Sequence, residues 1–188
     1  EARTGWFIGQ HIGTPASYVP FKQQKLFRLI GRGHGEWLHK NVKISIEKIE
    51  QSKTTVTEYG SFSVVLRDLR DNDGAIVVLE RFDNLSLDPT SPNYIARKIG
   101  DKYTSWDAVE GRLKQYGDYN NLSKFVYVDM NSDVDAGAVD ATYLPFGYFG
   151  PPRFRSVFDL NTTGACAKSA GFKYGDGSVL STDFFITG

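Results

Sequence analysis

The clearest pattern along the chain is an apolar run, Ile76-Val77-Val78-Leu79, continued by Glu80-Arg81-Phe82 and broken at Asp83-Asn84. A run of β-branched and apolar residues bounded by turn formers predicts a largely buried strand that ends near Phe82. Residues 85–90 follow as an extended connector, because Pro89 pushes Asp88 out of helical geometry. Ser91-Pro92 then offers an N-cap and a residue pre-set for a first turn, Tyr94, Ile95, Lys98 and Ile99 follow near helical spacing, and Gly100 stops the run. The spacing predicts a helix over residues 92–99, anchored on the sheet by Leu85, Leu87, Tyr94 and Ile95.

Elsewhere the period is mostly two. Residues 6–8, 25–30 and 125–128 read as short strands, the first with partners outside the chain. Val42, Ile44 and Ile46 alternate with Lys43, Ser45 and Glu47, and Phe62, Val64 and Leu66 alternate with Ser63, Val65 and Arg67. Such alternation predicts one wet face and one dry face. Residues 54–58 read as an exposed strand, and Asp73-Gly74 is a hairpin cue between two strands. Ser105 reads as the cap of a second helix, with Trp106, Val109 and Leu113 three and four apart. Residues 131–140, small and acidic, read as surface loop. Residues 144–152 hold three Pro and two Gly and cannot sustain helix or central sheet, although their aromatic rings are expected to pack inward. The tail over 161–188 is rich in Gly, Ser and Thr, with Phe184-Phe185-Ile186 as a terminal strand candidate.

Composition agrees with strands over helices, since 13 Phe, 10 Tyr and 19 Gly combine sheet-forming rings with turn residues. The expected fold is α+β: a strand-rich, two-layer, sandwich-like core of about eight to ten short strands with a few flanking helices. The 188 residues are enough to bury a core as one domain, 1–188, whose weakest internal point lies at 131–141. Lys plus Arg equals Asp plus Glu at 22 each, so no net field draws the chain to nucleic acid or an anionic membrane. No apolar run approaches the roughly 20 residues of a membrane helix. The start at Glu1 rather than Met is expected of a piece of a longer polypeptide.

Candidate chemistry is sparse. Gly31-x-Gly33-x-Gly35 follows a strand, but position 36 is Glu where a dinucleotide fingerprint has Gly, and a strand rather than a helix is expected next. His34, Glu36 and His39 lack the spacing of a zinc peptidase motif, and Gly33, Gly35 and Trp37 argue against a helix there. Asp68, Asp71, Asn72, Asp73 and Gly74 are out of register for a calcium loop. The single Cys166 permits no internal disulfide and has no positioned His, so a small buried Cys is the expectation. The Asn84, Asn121 and Asn161 glycosylation triplets read as chance. No catalytic, cofactor-binding or metal-ligating residue is therefore expected, and no cofactor.

The opening stretch carries a resemblance. A strand ending Glu80-x-Phe82-x-Asn84-Leu85-Ser86-Leu87-Asp88-Pro89-x-Ser91-Pro92-Asn93-Tyr94-Ile95, then Ile99-Gly100-Asp101, resembles the signature region of contractile tail sheath proteins of tailed bacteriophages. Three further pieces agree in order: Gly35-Glu36-Trp37 with Asn41 and Ser45-Ile46; Tyr59 to Asp68; and Leu144-Pro145-Phe146-Gly147-Tyr148 with Gly150-Pro151. They span roughly residues 29 to 152, and the chain resembles the central, protease-resistant part of that family's longer subunit. The resemblance implies a structural virion protein, not an enzyme. Its copies would form hexameric rings stacked helically around the tail tube from the baseplate, assembled in the host cytoplasm, and would contract to drive the tube through the host envelope. It assigns structural or subunit-contact roles to Trp37, Phe82, Leu85, Leu87, Asp88, Pro89, Ser91, Pro92, Tyr94, Pro145, Phe146 and Gly147. A piece lacking the family's terminal joining segments is expected to stay monomeric.

Two other classes stand beside it. Tyr103, Trp106, Tyr116 and Tyr119 suggest a β-rich carbohydrate- or protein-binding module, and the many carboxylates leave room for a carboxylate-based hydrolase.

Overall fold

The computed structural model describes residues 1–10, 14–53, 58–72 and 74–150, with two further short strands, Arg155–Ser156 and Phe172–Lys173. The fold is α+β and strand-rich. In chain order the strands are β1 (Phe7–Ile8), β2 (Lys25–Gly31), β3 (Val42–Glu50), β4 (Ser61–Asp68), β5 (Val78–Leu85), β6 (Tyr103–Asp107), β7 (Arg112–Tyr116) and β8 (Val126–Met130), and the helices are α1 (Gly35–Asn41), α2 (Ile95–Ile99) and α3 (Ser132–Asp135). Two three-stranded antiparallel sheets, β1-β2-β8 and β3-β4-β5, carry the core, while β6-β7 and the pair at 155–156 and 172–173 stand as two-stranded sheets.

Phe27 of β2 stacks on Phe62 of β4 with ring centroids 5.7 Å apart, so the two layers meet face to face. Leu26, Leu29, Ile46, Val64, Leu66, Val126 and Val128 close around that pair, and α2 adds Ile95, Ala96 and Ile99. Strand β1, expected to pair elsewhere, pairs with β2 inside the chain. The expected exposed strand at 54–58 lies outside the described residues apart from Glu58, as do Cys166, Asn161 and the candidate strand at 184–186.

Several expectations are corrected. The 76–82 run is not largely buried: Ile76, Val77, Val78 and Leu79 are 37–51% exposed, because β5 is the outer strand of its sheet. Nor does β5 stop at Phe82. Asn84 takes a left-handed backbone, φ +56°, and the pairing shifts so that Phe82 faces Val64 and Leu85 faces Phe62. That bulge places two residues opposite one, which lets Phe82 and Leu85, three apart, share the core face. Asparagine tolerates the left-handed region better than most residues.

The first helix lies where glycines argued against it. His34 caps α1 by accepting a bond from the Trp37 N–H at 3.2 Å, and Glu36 pairs with Lys40 at 2.6 Å one turn later. The helix predicted at 92–99 begins at Ile95, since Ser91 carries a turn and Tyr94 bridges back to Ser86 before the helical bonds start. The second predicted helix is absent. Trp106 and Leu113 are a cross-strand pair of the β6–β7 hairpin, and Asp107 ties its turn by accepting from the Val109 and Glu110 N–H groups. Three apolar residues fit a helical period and a hairpin equally well. The acidic stretch at 131–140 opens as α3, capped by Asn131, with Val134 buried.

Gly100 ends α2 with φ +107°, and a Cβ there would stand 2.3 Å from Asn121 Cα. Gly100→Ala should therefore cost at least about 1–3 kcal/mol in backbone strain, before the clash is counted. Urea unfolding checks this, and a near-neutral result would mean that the α2 exit yields to accommodate a side chain.

Candidate functional site

Residues 78–101 form one connected unit. The Ser86 and Ile95 backbones exchange bonds with the 91–95 turn: Ser86 N–H donates to Asn93 O at 2.9 Å, and Ile95 N–H donates to Ser86 O at 3.1 Å. Asp88 accepts from Thr90 N–H at 2.9 Å and its hydroxyl at 2.7 Å, and Ser91 Oγ accepts from Asn93 N–H at 3.1 Å. These polar residues are thus spent on turn geometry. Leu85, Leu87, Tyr94 and Ile95 are buried, Phe82, Asp88, Pro89 and Ser91 half-buried, and Pro92 exposed. Tyr94 donates its hydroxyl to Asp135 at 2.8 Å, tying α2 to α3. Glu80 reaches outward from β5 to accept from Ser123 Oγ at 2.6 Å and Lys124 N–H at 2.9 Å.

The remaining motif residues scatter. Trp37 is half-exposed and stacks on Phe125 at 6.1 Å. Pro145 and Leu144 are buried, but Phe146, Tyr148 and Phe149 are 39–56% exposed, against the expectation that these rings pack inward. Gly147 is exposed beside Ile49. The segment is held through its backbone instead, since Tyr148 and Ile46 exchange N–H to O bonds across an antiparallel bridge. Backbone tethering frees the side chains to face solvent.

Sequence reasoning missed a buried charge cluster. Lys43 of β3 and Arg67 of β4 lie directly opposite each other, two cations in one cross-strand pair. Such a pair is unfavourable alone. Asp71 resolves it, taking Arg67 Nε and Nη2 at 2.8 and 2.9 Å and Lys43 Nζ at 2.6 Å, with the Val77 N–H at 3.0 Å. All three side chains are at most 3% exposed. Arg67 also donates to Ser45 Oγ and to Phe149 O, both at 3.1 Å, so the cluster pins the 147–150 segment to the sheet. Burial pushes the Asp71 carboxyl up, but the Arg67 and Lys43 bonds outweigh it and leave it below its ordinary value. Asp71 belongs to the expected hairpin turn, and its oxygens serve the two cations.

The residues weighed for metal chemistry take other roles among the described residues. His34 is an N-cap, Glu36 pairs with Lys40, and His39 lines a cleft of about 230 Å³ between Leu29, Leu38 and Val42. Among the described residues no group of three His, Cys, Asp or Glu is placed to hold a metal, and no helix is long and apolar enough to cross a membrane.

The aromatic candidates do not form one platform. Tyr103 is stacked between Tyr116 at 5.3 Å and Tyr127 at 5.7 Å, whereas Trp106 points to the opposite face of the same hairpin. Tyr119 packs edge-on to Tyr94 and lies under Arg97. What does stand out is the hairpin itself, with Trp106, Val109 and Leu113 62–96% exposed. A two-stranded ribbon is marginally stable by itself in water. Its base is held by the tyrosine stack and by Asp101, which accepts from the Asp118 and Tyr119 N–H groups.

No protein-family model matches the chain, and no curated protein or solved structure matches it either.

Proposed function

We propose that this chain is the central block of a contractile tail sheath subunit, a structural virion protein without catalytic activity. The single observation that carries the reading is the 80–101 phrase, which resembles the sheath signature and whose apolar members Leu85, Leu87, Tyr94 and Ile95 are core residues here. Those four residues of the resemblance build the core, while Pro92, Trp37, Phe146 and Gly147 lie at the surface. In that role the copies stack as hexameric rings around a tail tube from a baseplate, and the strand-rich core moves as a unit while contacts between copies change. Near-zero net charge supports close packing of like copies without long-range repulsion.

The other classes are less well supported. A carbohydrate platform needs several rings on one surface, and Tyr103 and Trp106 lie on opposite faces of the hairpin. A carboxylate-based hydrolase needs an acid held protonated near neutral pH. Among the described residues the carboxyl groups displaced from their ordinary values, Glu50, Asp71, Asp83 and Asp140, are all displaced downward.

Electron microscopy of the complete polypeptide that carries this chain, expressed alone, tests the proposal. Tubes or polysheath-like polymers are expected; a monodisperse particle that never polymerises would remove it.

A further inference from the structure

We infer that the uncharged face of the β6–β7 hairpin docks against the apolar segment at residues 75–79 of a second copy of this chain. The inference rests on the sheath reading and names one contact within it. Alternation along the hairpin puts Thr104, Trp106, Leu113 and Gln115 on one face, and Tyr103, Ser105, Asp107, Arg112, Lys114 and Tyr116 on the other. The first face carries no charge. It also exposes Trp106 at 62% and Leu113 at 68%, with Val109 at 96% in the turn beside them.

The charges of the arm cancel among themselves. Lys114 lies 3.6 Å from Asp107 and 3.4 Å from Glu110, and Arg112 pairs with Glu110. Two acids and two bases leave no net field on the arm, so a charged surface would gain nothing there and would lose hydration on docking. The surface that fits is apolar, uncharged and extended.

This chain offers such a surface itself. Residues 75–79, Ala-Ile-Val-Val-Leu, carry no charge, and Ile76 to Leu79 are 37–51% exposed. They lead into and begin β5, whose outer edge has no strand beside it among the described residues, in the order β3-β4-β5. The lengths match as well, since five residues on either side extend about 16 Å at about 3.3 Å each. Trp106 is the expected anchor, as large aromatic residues dominate the energy of such contacts.

The two surfaces lie on different elements, so the contact is head-to-tail and repeats without closing unless the rotation forms a ring. Both outcomes suit rings stacked in a helix. A five-residue ribbon covers much less than the roughly 800 Å² per partner of a stable interface. Isolated pairs therefore associate weakly, and the contact gains strength within the polymer.

Two single-cysteine forms of the complete polypeptide, Val77→Cys and Leu113→Cys, on a background free of other cysteines (Cys166→Ser included), are co-assembled and treated with a short bifunctional maleimide. A covalent dimer is expected in the mixed polymer and not with either form alone, and Leu113→Glu should lower polymer yield at least tenfold with unchanged circular dichroism. A polymer with no 77–113 product, or one that Leu113→Glu leaves at wild-type yield, would overturn this contact and leave the sheath reading standing. Failure of the wild-type polypeptide to polymerise would overturn both.

Discussion

Replacing Asp71 by Asn should lower the free energy of unfolding by about 3–5 kcal/mol in urea titrations, the cost of breaking a buried ion pair from one side. Asn matches Asp in shape but leaves the Lys43 and Arg67 cations buried without a counter-charge, opposite each other on β3 and β4. Ser45 Oγ and Phe149 O remain as neutral acceptors for Arg67 and cannot replace the carboxylate. The pH dependence has a definite sign. Asp71 has its folded pKa lowered, so in the window between that value and the unfolded value near 4 the unfolded chain binds the proton and the folded one does not. Its contribution is fully present above the unfolded value and is lost as pH falls through the folded one. Asp71→Asn should flatten the acid side of the stability curve accordingly. A triple change of Lys43, Arg67 and Asp71 to apolar residues of similar size should recover most of the loss. A single-variant loss under about 1 kcal/mol would show that water reaches the cluster.

The cluster was hidden in the sequence for a physical reason. Lys43 and Arg67 occupy alternate positions of period-two strands, where charge normally marks the solvent face. Strand β4 is central, however, and Ser63, Val65 and Arg67 are buried along with Phe62, Val64 and Leu66. Alternation reports a strand without reporting its place in the sheet. The same gap explains β5, whose apolar run suggested burial although an outer position leaves it exposed. The 80–101 phrase was legible because its signals are local: Asp88 and Ser91 act on neighbouring backbone, and Gly100 stops the helix. The bulge at Asn84 was not, since it depends on pairing with β4. The β6–β7 hairpin was missed because its pairing, unlike a helical repeat, relates residues across a turn.

Tyr94→Ala should cost about 3–5 kcal/mol, the range for deleting a fully buried aromatic side chain. Tyr94 is 0% exposed and packs in a T-shaped pair with Tyr119, and its loss opens the junction of β5, α2 and α3. Tyr94→Phe keeps the ring and removes only the bond to the exposed Asp135 carboxylate, for about 1.5 kcal/mol. The pair of variants separates packing from hydrogen bonding. Burial first, and the Asp135 bond second, push the Tyr94 phenol well above its ordinary value of 10. Because the folded pKa is raised, its contribution is fully present below pH 10 and declines as pH rises beyond it. Tyr94→Phe should reduce that alkaline loss. If Tyr94→Ala cost under about 1 kcal/mol, the 80–101 unit would belong to the surface and not to the core.

A strand-rich core that moves as one body is what the sheath proposal asks of this chain. Helical reconstruction of a contractile tail containing the complete polypeptide, in extended and contracted states, tests that directly. The two sheets and α2 should fit the subunit density in both states as one unchanged body, with the β6–β7 hairpin against a neighbouring copy. Sleeve density that does not accommodate this fold, or a core that must be rebuilt between the two states, would contradict it.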